Sequence, residues 1–63
     1  MKSVRIGKTI YSLDNIRYVK TITDGWGRIY FSFYYMDGKT VYSNYIAADS
    51  VNGFLQDIQE AMK

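Results

Sequence analysis

From Arg28 to Met36 the chain reads Arg-Ile-Tyr-Phe-Ser-Phe-Tyr-Tyr-Met, and from Lys39 to Tyr45 it reads Lys-Thr-Val-Tyr-Ser-Asn-Tyr, with Asp37-Gly38 between them. Two runs of β-branched and aromatic residues split by Asp-Gly predict a β-hairpin, because Asp and Gly tolerate the positive φ angles of a two-residue type I′ turn. With Asp37 and Gly38 as the turn, Met36 faces Lys39, Phe33 faces Tyr42, Phe31 faces Asn44 and Ile29 faces Ile46. Side chains alternate across a strand, so Ile29, Phe31, Phe33, Tyr35, Thr40, Tyr42, Asn44 and Ile46 share the expected core face. Arg28, Tyr30, Ser32, Tyr34, Val41, Ser43 and Tyr45 take the opposite face.

The rest of the chain extends or covers that hairpin. Residues 2–6 alternate polar and apolar and predict a first strand. Gly7-Lys8 is a tight turn, and residues 9–13 return as a second strand. Asp14-Asn15 breaks the pattern, since both side chains bond locally to backbone. Residues 16–23 predict a third strand, followed by Asp24-Gly25-Trp26-Gly27, a mobile or tightly turned loop. The length of that loop sets the parity of the third strand. Four residues align Ile16, Tyr18 and Ile22 with the core face, which is the expected arrangement; three would turn Val19 inward instead. Residues 46–49 leave the sheet. Ser50 to Met62 predicts an amphipathic helix, with Val51, Phe54, Leu55, Ile58, Ala61 and Met62 on one face and Asp49 or Ser50 at its N-cap. Gly53 weakens the helix unless it marks a close helix–sheet contact. The expected fold is α+β: one domain over residues 1–63, a five-stranded antiparallel meander with one C-terminal helix packed on one face.

Composition narrows what such a fold can do. At 63 residues, with no cysteine and no histidine, the chain has no disulfide, no thiolate and no ordinary zinc or haem ligands. A domain this small buries only about 60% of its unfolded surface, so self-association is a reasonable way to stabilise it. Catalytic arrangements built on His or Cys are excluded. The serines show no diagnostic spacing, and Asp14, Asp24, Asp37 and Asp49 already have turn or cap roles. Gly25-Trp26-Gly27 is not a phosphate loop. No cofactor and no metal is expected, and the chain reads as non-enzymatic. Without an apolar run of membrane length or an export signal, it is expected to be soluble and cytoplasmic.

Net charge is +2, unevenly spread. Residues 1–48 carry a balance of +4 and residues 49–63 a balance of −2, which makes a basic sheet region and an acidic helix; on most small domains such charges serve solubility. Seven tyrosines and one tryptophan are the more pointed feature. Aromatic pairs stabilise sheets by themselves, and the Trp26 indole can equally cover a core edge. The functional alternative is an aromatic platform of Trp26, Tyr30, Tyr34 and Tyr45, rimmed by Arg28 and Lys39 and extended toward Arg17. Tyr30 is expected to face Tyr45, and Tyr34 to face Val41. One helix covers one side of a sheet, so the other side calls for a partner. A protein partner or a second copy of the chain is the first expectation. Single-stranded nucleic acid or a nucleotide is the alternative, weakened by the modest net charge.

Overall fold

The computed structural model describes residues 1–63 and contains the expected elements in the expected order. Strands β1 (Ser3–Ile6) and β2 (Thr9–Ser12) form an antiparallel hairpin about Gly7. Gly7 has φ +64°, and a Cβ there would lie 3.3 Å from Asn44 Nδ2, so both backbone and space favour glycine. The Leu13 N–H donates to the Lys2 carbonyl at 2.7 Å and lengthens the ladder. At Asp14-Asn15 the chain then turns away from that ladder, with Asn15 at φ 60°, a conformation Asn tolerates better than most residues.

Strands β3 (Ile16–Thr23), β4 (Ile29–Tyr35) and β5 (Thr40–Tyr42) form a second antiparallel sheet in the order β3-β4-β5. The meander is therefore divided into two small sheets, two strands and three, with the break at Asp14-Asn15. A single 3-10 turn (Ala48–Ser50) leads into helix α1 (Val51–Ala61). Ser50 occupies the N-cap but its side chain makes no capping bond, because its backbone is already turned into the helical region.

The core lies between the helix, the β1–β2 hairpin and one face of the larger sheet. Val4 and Ile6 from β1, Tyr11 and Leu13, Ile16, Phe31 and Phe33 from β4, Ile46 and Ile58 are all buried. Burying a large apolar side chain contributes roughly 1.5–3 kcal/mol, and Phe31 and Phe33 are the two that lose all contact with solvent at its centre. Tyr11 stacks on Phe33 at 5.1 Å, and Phe54 meets Phe31 edge-on at 6.5 Å. Val51, Phe54, Leu55, Ile58 and Ala61 form the apolar stripe of α1 that faces this core, while Met62 is exposed. Nothing lies within 4 Å of where a Gly53 Cβ would stand. Gly53 is thus a weak helix position and not a point of close contact.

Two registers differ from the sequence-based expectation. The β4–β5 loop has three residues, Met36-Asp37-Gly38, closed by Tyr35 N–H to Lys39 O at 2.9 Å and Gly38 N–H to Tyr35 O at 3.0 Å. Only Gly38 takes positive φ, at 91°, while the Asp37 carboxylate accepts from the Lys39 N–H at 3.0 Å. This is the three-residue hairpin with glycine in the left-handed position, a geometry Asp-Gly serves as well as the two-residue turn. The pairs become Tyr34–Thr40, Phe33–Val41 and Ser32–Tyr42. A slip of one residue turns a strand over, so Val41 moves to the core side and Tyr42 to the outer side. The slip is undone within four residues. The Ser43 N–H donates to Phe31 O, and the Ser43 hydroxyl takes the Phe31 N–H, both at 2.8 Å. Ile29 then pairs with Ile46 as expected.

The β3–β4 loop also has three residues, Gly25-Trp26-Gly27, instead of the expected four: Asp24 N–H donates to Arg28 O at 2.9 Å and Gly27 N–H to Asp24 O at 3.1 Å, and Thr23 pairs with Ile29. Val19, Thr21 and Thr23 therefore share the side of Phe33, Phe31 and Ile29. Tyr18 and Ile22 lie on the outer side with Tyr34 and Tyr30. Ile16 still reaches the core because the register shifts between Ile16 and Tyr18, a bulge that changes parity once.

Candidate interaction surface on the outer sheet face

The corrected registers concentrate tyrosine on one face. Tyr18 and Tyr34 are cross-strand neighbours on β3 and β4, stacked at 4.5 Å with 26° between planes. Toward the other end Tyr30 meets Tyr42 edge-on at 5.7 Å and Tyr45 edge-on at 6.1 Å. Ser32 lies between the two groups, opposite Lys20 on β3 and Tyr42 on β5. It is 0% exposed, and its hydroxyl has no hydrogen-bond partner. A small side chain there lets the rings beside it close over the strand. The unpaired hydroxyl beneath them costs roughly 1–3 kcal/mol.

The 24–28 loop forms the end of this face. Asp24 organises it: Oδ1 accepts from the Trp26 and Arg28 N–H groups, each at 2.9 Å, and Oδ2 accepts from Arg28 Nε at 2.8 Å. Partial desolvation pushes the Asp24 pKa up, but the two backbone donors, the guanidinium bond and its charge outweigh it and hold the carboxyl below its ordinary 3.8. Gly27 supplies φ +80° to close the turn. The result is a fixed loop, the tightly turned of the two forms expected of it, and it presents Trp26 with 83% of its surface exposed. The indole covers no core. The Arg28 guanidinium lies 4.9 Å from the Trp26 ring centroid and 4.4 Å from that of Tyr45. Such contacts contribute about 0.5–1 kcal/mol each at exposed sites.

Of the residues singled out from sequence, Trp26, Arg28, Tyr30 and Tyr45 converge at this end. Tyr34 belongs to the same face but to its far end, with Tyr18. Tyr30 does lie beside Tyr45, whereas Tyr34 pairs with Thr40 and not with Val41. Lys39 lies beyond the hairpin's last pair on the core side of β5. There it borders a cleft of about 450 Å³ with Asp14, Asn15, Tyr35, Asp37 and Val41. The Tyr35 hydroxyl donates to the Ser12 carbonyl at 2.7 Å, and burial raises its pKa above the ordinary 10.0. Tyr18 and Tyr42 were not expected on the outer face, since each depends on a loop whose length differs by one from the expected: three residues instead of four before β4, and three instead of two after it.

Electrostatics on the face are modest. Arg28 is spent on Asp24. Arg17, 5.8 Å from the Tyr18 ring, and Lys20 are the cations there without a carboxylate partner. No helix is long and apolar enough to cross a membrane. Comparison with known proteins finds no matching family model, no matching curated protein and no matching solved structure.

Proposed function

We propose that this chain is a small, non-enzymatic, cytoplasmic protein-interaction module that associates with itself through the aromatic outer face of its three-stranded sheet. One observation carries the reading: Tyr18, Tyr30, Tyr34, Tyr42 and Tyr45, ending in Trp26 and Arg28, share a face that neither the helix nor the β1–β2 hairpin covers. Tyr, Trp and Arg are the side chains that dominate protein contact surfaces, because they offer large area at low conformational cost. Tyr18, Tyr42 and Tyr45 are 44%, 61% and 57% exposed, so ring area remains to be covered. The test is molar mass by light scattering across a concentration series. The wild type gives two or more chains per particle, and Tyr30→Ala with Tyr45→Ala lowers the mass. A single-chain mass at every concentration refutes the reading.

A second reading has one observation in its favour. The stacked Tyr18–Tyr34 pair with unpaired Arg17 and Lys20 beside it has the form of a base-stacking platform with phosphate contacts. Against it, Arg28 is neutralised by Asp24 and Lys39 points to the other side. Anisotropy of a labelled mixed-sequence oligonucleotide decides the matter. Binding that weakens steeply with salt supports it, and no binding at low salt removes it.

A further inference from the structure

The longest strand of the protein, β3 with eight residues, lies at the edge of its sheet and bonds to β4 alone. Hydrogen bonds in an antiparallel ladder alternate sides, so their phase shows which β3 groups face outward. Asp24 N–H bonds to Arg28 O, which makes Ile22–Tyr30, Lys20–Ser32 and Tyr18–Tyr34 the bonded pairs. The partners of β4 agree: Phe31, Ile29 and Tyr35 bond toward the β5 side. Val19, Thr21 and Thr23 therefore direct their N–H and C=O groups away from the sheet. No other element pairs with that edge, and Thr21 and Thr23 are exposed. An edge of this kind is a template for another strand.

We propose that β3 pairs antiparallel with β3 of a second copy, about a two-fold axis at Thr21, joining two three-stranded sheets into one of six. This is a second self-association contact, separate from the aromatic face proposed above. The register follows from the side chains. An axis at Lys20 sets Lys20 against the partner's Lys20 at the closest cross-strand spacing, where like charges repel. An axis at Val19 runs the pairing into the bulge between Ile16 and Tyr18. The axis at Thr21 avoids both. It sets Thr21 against the partner's Thr21, Val19 against the partner's Thr23, and Lys20 against the partner's Ile22. The residues along this stretch are mostly β-branched, the types that suit strands best. Arg17 and the bulge limit pairing to about residues 19–23, and because the two-fold contact occupies the free β3 edge of both copies, strand addition at this edge closes at two. Joined this way, the outer aromatic faces of both copies become one continuous surface.

Amide hydrogen exchange followed by NMR at low and high protein concentration tests the edge directly. Protection of Val19, Thr21 and Thr23 rises roughly tenfold or more with concentration as the dimer fills. Thr21→Pro removes an outward N–H that the monomer does not use, so the strand is kept and the concentration dependence at Val19 and Thr23 is lost. Tyr30→Ala with Tyr45→Ala leaves that dependence in place, because those rings lie on the face and not on the edge. Fast, concentration-independent exchange at all three amides overturns the edge pairing; a mass that still falls in the tyrosine variant then leaves the face reading standing. Ile22→Glu and Ile22→Lys test the register in chains whose backbone is unaltered. The introduced carboxylate meets the partner's Lys20 twice per dimer and tightens it severalfold at low salt, while the introduced ammonium weakens it. Equal effects of the two substitutions overturn the axis at Thr21.

Discussion

Asn44 is the side chain whose loss tests the architecture most sharply. Its Nδ2 donates to the Ile6 carbonyl at 3.0 Å, and its Oδ1 accepts the Tyr11 hydroxyl at 3.0 Å. A longer contact reaches Thr9 Oγ1 at 3.5 Å. The Tyr11 oxygen in turn accepts the Asn44 N–H at 3.0 Å. These bonds join the β1–β2 hairpin to the segment after β5, across the break between the two sheets. Asn44→Ala removes two well-formed bonds worth about 1 kcal/mol each and leaves the Ile6 carbonyl without its side-chain partner, so the expected loss is about 2–3 kcal/mol. Stability for a domain of this size lies near 3–9 kcal/mol, which makes that loss about a fifth of the total or more. Tyr11→Phe removes the shared bond from the other side and costs about 1–2 kcal/mol. The double variant is then less damaging than the sum by about 1 kcal/mol, since both changes delete one common interaction. Urea unfolding by circular dichroism measures all four proteins, with the m-value unchanged if only stability moves. A loss below about 0.5 kcal/mol for Asn44→Ala, or strict additivity with Tyr11→Phe, would refute the claim that this bridge holds the two sheets together.

Three further outcomes follow from positions already described. Gly53→Ala raises stability by about 0.5–1 kcal/mol in the same assay, because the added methyl meets no neighbour and the helix gains propensity. Ser32→Ala is stabilising, by up to about 1 kcal/mol, since it removes a buried hydroxyl that has no partner; a clear loss of stability would mean the hydroxyl is bonded after all. Asp24 has a folded-state pKa below its ordinary 3.8, so its contribution is complete above that value and fades as pH falls through the lowered one. Thermal unfolding from pH 7 to pH 2 therefore shows an acid limb that Asp24→Asn flattens, and an unchanged limb in that variant argues against the ion-paired loop.

Much of this architecture is readable from periodicity, and the misreadings have a common cause. The stripe from Val51 to Ala61 repeats often enough that one irregular position, Gly53, does not hide the helix. Phe31 and Phe33 belong to the core in either register of the hairpin, because β4 alternates on its own account. The faces of β3 and β5 are different. Each is fixed only through a loop, and Asp24-Gly25-Trp26-Gly27 and Met36-Asp37-Gly38 each admit lengths that differ by one. The energy separating those lengths resides in bonds formed after folding, such as the Asp24 carboxylate on two backbone amides. No alternation in the sequence records them. The same holds for the outer face: its tyrosines are plain in the composition, but the presence of Tyr18 and Tyr42 there depends on parity. The phase correction at Ser43 has no residue signature beyond a hydroxyl.

That correction has a consequence for recognition. In a regular strand, residues 42 and 45 would point to opposite sides. Because the strand changes phase between them, both rings flank Tyr30, which is held from two directions. Tyr30 is thus packed on two sides, while Trp26 at the rim is largely exposed. Binding carries an entropic penalty for every side chain it must immobilise. In the association proposed above, that penalty would then fall mainly on the periphery, because Tyr30 is already packed between Tyr42 and Tyr45.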